Sequence, residues 1–362
     1  MAGREEPPED LPSGGEDEYR SVVFDESFIR AARLQEFSAQ ERMGDHALAV
    51  RSRSALPFRG GKGALVLFAL ILLAFGTAVF LGVRHPYDTP GGGSSEPLWE
   101  SVVPLAPQGA VPGATAAELF ANSPAAHFRV GAEGVNLPAV GRTAHFADSQ
   151  VVTALTTATD YIVASSLDPL VLMGTTVRPV RALLDPDQYR QFDRSVASPS
   201  RDGRHAVTGW LVRFDPAQVA LADPRVRVSG TLRYEEISPG ILEVTADHTF
   251  VYALRPASAG PAKADGASLF SVRRELHFHF DAEDLRLRQA QLVISYVQAG
   301  PQDCAADTAG RLQPMLAGER AHGRQAGRGP VGTDPYATGG TATALCGTLA
   351  AGSQPDLSGD GP

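Results

Sequence analysis

His277 and His279, two imidazoles two residues apart, are side chains whose types and spacing could do chemistry. On a β-strand, residues i and i+2 project from one face, so the two rings could hold a metal ion together. Arg273 and Glu275 fall on that same face. A zinc centre needs three or four ligands, and no third position stands at a ligand spacing. The same residues therefore also read as the polar face of an amphipathic strand. Arg178, Arg181, Arg190 and Arg194 form a second group, able to recognise an anion or simply to solvate helix faces. His248 alternates with Val244, Ala246 and Phe250, which predicts a ring at the edge of the core with a hydrogen bond to hold it. No Gly-x-Ser-x-Gly elbow, His-Glu-x-x-His pair or Ser-x-x-Lys set is present. No carboxylate pair stands at a spacing that defines acid–base geometry. The expectation is a non-enzymatic chain with no catalytic residue, metal or cofactor.

The elements that must position these residues follow from periodicity. Val226–Ile237, Ile241–Leu254, Leu269–Phe280 and Leu287–Val297 alternate apolar and polar residues, with a Ser238-Pro239-Gly240 turn after the first. Such alternation predicts four antiparallel strands with one packed and one wet face. Tyr234, Phe250, Tyr252, Phe278 and Tyr296 then fall on the packed face and could line a ligand pocket, although core packing explains them equally. A helix is predicted from Asp148, as N-cap, through Ser166, with Val151, Leu155, Ala158 and Ile162 at helical spacing. Short helices are predicted at Ala114–Asn122, at Leu170–Met173, from Asp185-Pro186 through Val196, and after Asp215-Pro216. His205–Phe214 reads as a strand. The fold class is α+β, with N-terminal helices covering a curved antiparallel sheet in the pattern of NTF2-like or cystatin-like cones.

N-terminal to all of this lies Gly63–Val83, twenty-one residues without a charge, amide or proline. That is the length of a single transmembrane helix. Arg51, Arg53, Arg59 and Lys62 precede it and only Arg84 follows closely, which predicts a cytoplasmic N-terminus and an extracytoplasmic C-terminus at the plasma membrane. Residues 1–62 are then cytoplasmic. They are acidic and short of large apolar residues up to Tyr19, with a helical segment at 22–43 that could dock in a partner's groove through Phe24, Phe28 and Leu34. Residues 84–113, rich in Pro, Gly and Ser, read as a stalk, within which Trp99 lies near the membrane or tucks onto the domain. The extracytoplasmic α+β domain spans 114–300, its folded core beginning at Asp148. A Gly-rich segment, 301–353, follows, and 354–362 is a loose tail. Cys304 and Cys346, both on the outer side, favour a disulfide. The net charge of −9, without a basic patch, argues against nucleic acid as a partner.

Several landmarks occur together: Phe24-Asp25-Glu26-Ser27-Phe28-Ile29-Arg30-Ala31-Ala32 with Ser38-Ala39-Gln40-Glu41-Arg42-Met43, Ala182-Leu183-Leu184-Asp185-Pro186, Arg213-Phe214-Asp215-Pro216, Ala246-Asp247-His248-Thr249-Phe250-Val251-Tyr252, and Asp334-Pro335-Tyr336 ahead of Cys346. In these the chain resembles a family of uncharacterised single-pass membrane proteins of Streptomyces and related actinomycetes. The resemblance implies a Gram-positive plasma membrane, an extracytoplasmic domain and a Cys304–Cys346 pair, and carries no activity with it. The expected function is a membrane-anchored scaffold or protein-interaction module with a protein partner on either side. The alternative is an extracytoplasmic sensor with a small-molecule pocket between helices and sheet.

Overall fold

Alternating side chains build a sheet wherever one face can be buried, and that pattern extends further along this chain than its four clearest strands. The computed structural model describes residues 96–259, 266–322, 332–339 and 345–357, together with Ile71. The expected span at Gly63–Val83, the segment 22–43 with Phe24, Phe28 and Leu34, and the acidic N-terminus lie outside the described residues. Among the described residues no helix is long and apolar enough to cross a membrane.

The fold is α+β, with a seven-stranded mixed sheet. In chain order the strands are β1 (Trp99–Ala106), β2 (Arg129–Val130), β3 (Val219–Ser238), β4 (Ile241–Pro256), β5 (Ser268–Phe280), β6 (Gln291–Gly300) and β7 (Gly347–Thr348). Their spatial order is β2-β3-β4-β5-β6-β1-β7. β3 to β6 form the expected antiparallel meander, whereas β1 pairs in parallel with β6 and with β7. The helices are α1 (Ala116–Ala121), α2 (Asp148–Ser166), α3 (Pro169–Leu172), α4 (Arg178–Arg181), α5 (Tyr189–Ala197), α6 (Val207–Trp210) and α7 (Ala282–Leu287).

Four sequence expectations are corrected. Trp99–Ala106 is not stalk: Leu98, Val103 and Leu105 are buried, and the segment is a strand inside the sheet. The folded core therefore begins well before Asp148. His205–Phe214 is not a strand. Its Val207–Trp210 stretch winds into α6, where Gly209 passes so close to Glu100 that an added Cβ would meet its carboxylate. After Asp215 the chain makes a turn rather than a helix, with the Asp215 carboxylate accepting from the Ala217 amide at 3.0 Å. At α2 the N-cap is Ala147, whose amide donates to Gln150 Oε1 at 2.9 Å; Asp148 is the first helical residue. The cap at Asp185 holds as read, its carboxylate accepting from the Asp187 amide, and Asp168 caps α3 in the same way through the Leu170 amide.

The inner face of the sheet packs against α2. Val151, Leu155, Ala158 and Ile162 of that helix are buried in one cluster with Leu242, Val244, Phe250, Tyr252, Phe278 and Phe280. Edge-to-face ring pairs interlock the layers, Tyr161 with Phe278 at 5.2 Å and Phe214 with Tyr252 at 5.3 Å. On the outer face α1 covers Val251, Ala253 and Leu269 through Leu119 and Phe120. A C-terminal segment covers the next part. Thr249 donates to the Pro335 carbonyl, Ser271 bonds the Tyr336 hydroxyl, and Leu349 packs with Val103 and Leu105. Cys304 and Cys346 form the disulfide that ties this segment down, their Cα atoms 5.6 Å apart.

Candidate binding surfaces

Strand register decides what each predicted residue can do. Phe250, Tyr252 and Phe278 sit on the inner face but are wholly enclosed by core neighbours, and Tyr234 packs at the margin of the same cluster. Tyr252 spends its hydroxyl on the Ser166 carbonyl at 2.8 Å, and Tyr234 holds the Gly141 amide at 2.8 Å. Tyr296 lies on the other face. The pairing shifts between His277 and Phe278, which are opposite Ile294 and Leu292, leaving Val293 as an extra residue. A bulge of one residue reverses the phase of everything after it, so Ser295, Val297 and Ala299 turn inward while Ile294 and Tyr296 turn outward. The five aromatics therefore do not converge on one pocket.

The inner face carries two unusual polar residues side by side. Arg274 is buried, and its guanidinium donates to Ser165 Oγ, Ser166 Oγ and the carbonyls of Gly209 and Trp210 at 2.8–2.9 Å. It thereby staples α2 and α6 to β5. His248, directly opposite on β4, is 1 % exposed, and neither ring nitrogen has a hydrogen-bond partner. The predicted hydrogen bond is absent. Burial pushes the His248 pKa down to about 4, against the pull of neighbouring Asp247. Gly230 makes room for it, since a Cβ there would lie 2.5 Å from the ring.

On the outer face, the register aligns Trp99, Ile294, His277, Thr245 and Arg233 in one row and Ser101, Tyr296, Glu275 and Asp247 in the next. His277 and His279 do share a face, as expected. Each contacts Glu243, at 3.3 and 3.2 Å, and His277 also reaches Glu275 at 3.3 Å. Asp247 and Arg273 form a buried two-point ion pair at 2.8 and 2.9 Å. Among the described residues no group of three His, Cys, Asp or Glu side chains is placed to hold a metal ion. The outer rows carry a network of polar side chains that contact one another, with Asp247 and Arg273 as its ion pair. Beyond the C-terminal segment they stay partly open, with Trp99 and Tyr296 exposed.

A cleft of about 580 Å³ opens where β1 meets α5. Glu96, Pro97, Asp187, Gln188, Arg190, Gln191, Arg194, Arg204 and His205 line it. Its floor is fixed: Gln188 bonds the Glu96 carbonyl and both backbone groups of Leu292, and Gln191 bonds both backbone groups of Leu98 and the Arg204 carbonyl. Of the four predicted helix arginines, Arg190 and Arg194 meet here; Arg181 is taken by Asp193 at 2.8 Å, and Arg178 does not line the cleft. Arg204 and Trp99 were not legible as part of this group. Only the fold brings the Arg204 guanidinium over the Trp99 ring, 3.9 Å from its centroid.

Two buried carboxyls complete the inventory. Burial pushes the Glu100 pKa up to about 8, opposed by the Ala206 amide that donates to one oxygen; the other oxygen has no partner. Burial likewise raises Asp284, which closes the capping box of α7 and accepts from Gln291 Nε2 at 3.2 Å. Neither was singled out in the sequence, because a perturbed carboxyl owes its state to tertiary burial. Comparison with family models, curated proteins and solved structures returned no match.

Proposed function

We propose that this chain is a membrane-anchored, non-enzymatic scaffold that works by binding a protein partner through the open half of its sheet. The reading places Gly63–Val83 across the plasma membrane as a single span, residues 22–43 in the cytoplasm as a second docking segment, and the domain of residues 96–357 outside. Length and charge flanks of the apolar run support the anchor. One observation carries the binding role: the space between α2 and the sheet is filled by buried rings, while the outer rows remain open with Trp99, Tyr296 and a network of mutually contacting polar side chains. A flat face with aromatic residues among paired charges is the character of a protein contact rather than of a small-molecule chamber. The resemblance to single-pass actinomycete membrane proteins agrees with this layout.

The test is affinity capture of the full chain from detergent-solubilised membranes. The wild type is expected to retain a specific protein. Tyr296→Arg, a change at an exposed position, should lose the partner of the domain, and deletion of 22–43 should lose a cytoplasmic one. Capture of nothing specific by the wild type refutes the proposal.

A further inference from the structure

The cleft between β1 and α5 has an arrangement that the scaffold role does not require. Arg190 and Arg194 are four residues apart on α5, so two like charges share one helix face at a cost to that helix. Neither forms an ion pair with a described carboxylate, and Arg204, the third guanidinium, is engaged by an aromatic ring instead. His205 is oriented from behind, its Nδ1 2.6 Å from Asp202 Oδ2. Although desolvation opposes it, hydrogen bonds from His205 and from the Arg204 amide hold the Asp202 carboxyl well below its usual range. The ionised Asp202 thus fixes the orientation of the ring through Nδ1. Two carboxylates, Glu96 and Asp187, line the same cleft.

We propose that this cleft binds an anionic saccharide, a sugar bearing a phosphate or a carboxylate. Arg190 and Arg194 take the anion in forked, charge-assisted hydrogen bonds. Glu96 and Asp187 accept from ring hydroxyls, and the His205 ring offers a further polar contact. Trp99, 54 % exposed beside Arg204, offers the flat apolar surface against which a pyranose can lie. A bare inorganic anion would gain from the arginines but be repelled by the two carboxylates, so the mixed set favours a ligand carrying both charge and hydroxyls. The volume is that of a small-ligand cleft. Because Gln188 and Gln191 tie the floor to β1 and β6, the cleft exists before any ligand arrives, and binding requires little ordering.

The chain supplies its own reporter. It has two tryptophans, Trp99 beside the cleft and Trp210 fully buried, so ligand-dependent fluorescence reports on Trp99. The full chain in detergent is titrated with glucose 6-phosphate, glucuronate, glucose, inorganic phosphate and a short polyglutamate peptide, with calorimetry on the same samples reading binding that leaves fluorescence unchanged. The expected result is saturable binding of glucose 6-phosphate or glucuronate at least about tenfold tighter than of the other three, since one charge-assisted contact is worth about that factor. Arg190→Ala with Arg194→Ala should weaken it by at least about tenfold and leave the melting temperature unchanged, both side chains being exposed. Equal affinity for phosphate and glucose 6-phosphate would mean an adventitious ion only and overturn the proposal. Tightest binding of the peptide would make the cleft a polypeptide contact and overturn it as well, as would heat-free, flat titrations throughout. The scaffold proposal is read by a separate experiment, capture of a protein partner and its loss with Tyr296→Arg, and Tyr296 is not among the residues that line the cleft, so the two proposals can fail independently.

Discussion

Acid should find a weak point at His248. The ring is enclosed on the inner face between Gly230 and Arg274, with no acceptor for either nitrogen and a guanidinium as its cross-strand neighbour. Protonating it in place would put a second cation beside Arg274 without solvent. The folded protein therefore resists the proton until about pH 4, whereas the unfolded chain takes it up near 6.5. Because the folded pKa lies below the unfolded one, a histidine so placed leaves stability intact above pH 6.5. Stability falls as pH drops from 6.5 to about 4, and the slope from this residue ends below that. The gap corresponds to about 3 kcal/mol. His248→Leu, similar in bulk and unable to titrate, removes this dependence and relieves two unpartnered nitrogens. Denaturant unfolding of the wild type and of His248→Leu should be followed between pH 7.5 and 4.5. The stability difference in favour of the variant is expected to widen by about 2–3 kcal/mol toward the acid end. A difference that stays constant across that range would show that the native ring protonates normally, and would refute the reasoning.

Other consequences run in distinct directions. Glu100→Gln should stabilise the fold above pH 7 and lose that advantage below about pH 4.5, because burial raises the folded pKa to about 8 and makes ionisation costly as pH rises; melting temperatures of both proteins at pH 4.5 and 8 check the crossing. Arg274→Met should cost about 3–5 kcal/mol, since it removes four buried charge-assisted hydrogen bonds that join α2 and α6 to β5, and Arg274→Lys should not restore it, as one ammonium lacks the fork that reaches both helices; urea midpoints of both variants decide. Cys304→Ser with Cys346→Ser should destabilise the domain by about 2–4 kcal/mol and speed proteolysis of the C-terminal segment, read by limited digestion.

The meander and the long helix were legible because each buries a single face, so alternation in 241–254 and helical spacing in 148–166 report burial directly. Three features were not. The Val293 bulge is a pairing event between two strands, invisible in either alone, and it moved Tyr296 from the inner face to the outer one. β1 hides in a stretch whose prolines and glycines resemble a tether, and its partners lie far downstream. The cleft assembles Glu96, Arg190, Arg194 and Arg204 from three separate segments, with Trp99 beside it under Arg204, and of these only the i, i+4 arginine pair left a trace. The His277 and His279 face was placed correctly, but Glu243, which contacts both rings, comes from the neighbouring strand.

The parallel pairing of β1 with β6 also imposes an order of events on biogenesis. β1 is made early, and the strand it needs ends about 190 residues later, at Gly300. At ordinary synthesis rates of about 5–20 residues per second, the apolar Val102–Ala106 run waits roughly 10–40 s for its partner. Its far edge is closed later still, by Gly347–Thr348. Through that interval the chain carries an unpaired strand in a crowded compartment, where another copy could occupy the place reserved for β6. Whatever delivers this protein to its working location must therefore either shield β1 for that time or keep neighbouring chains apart.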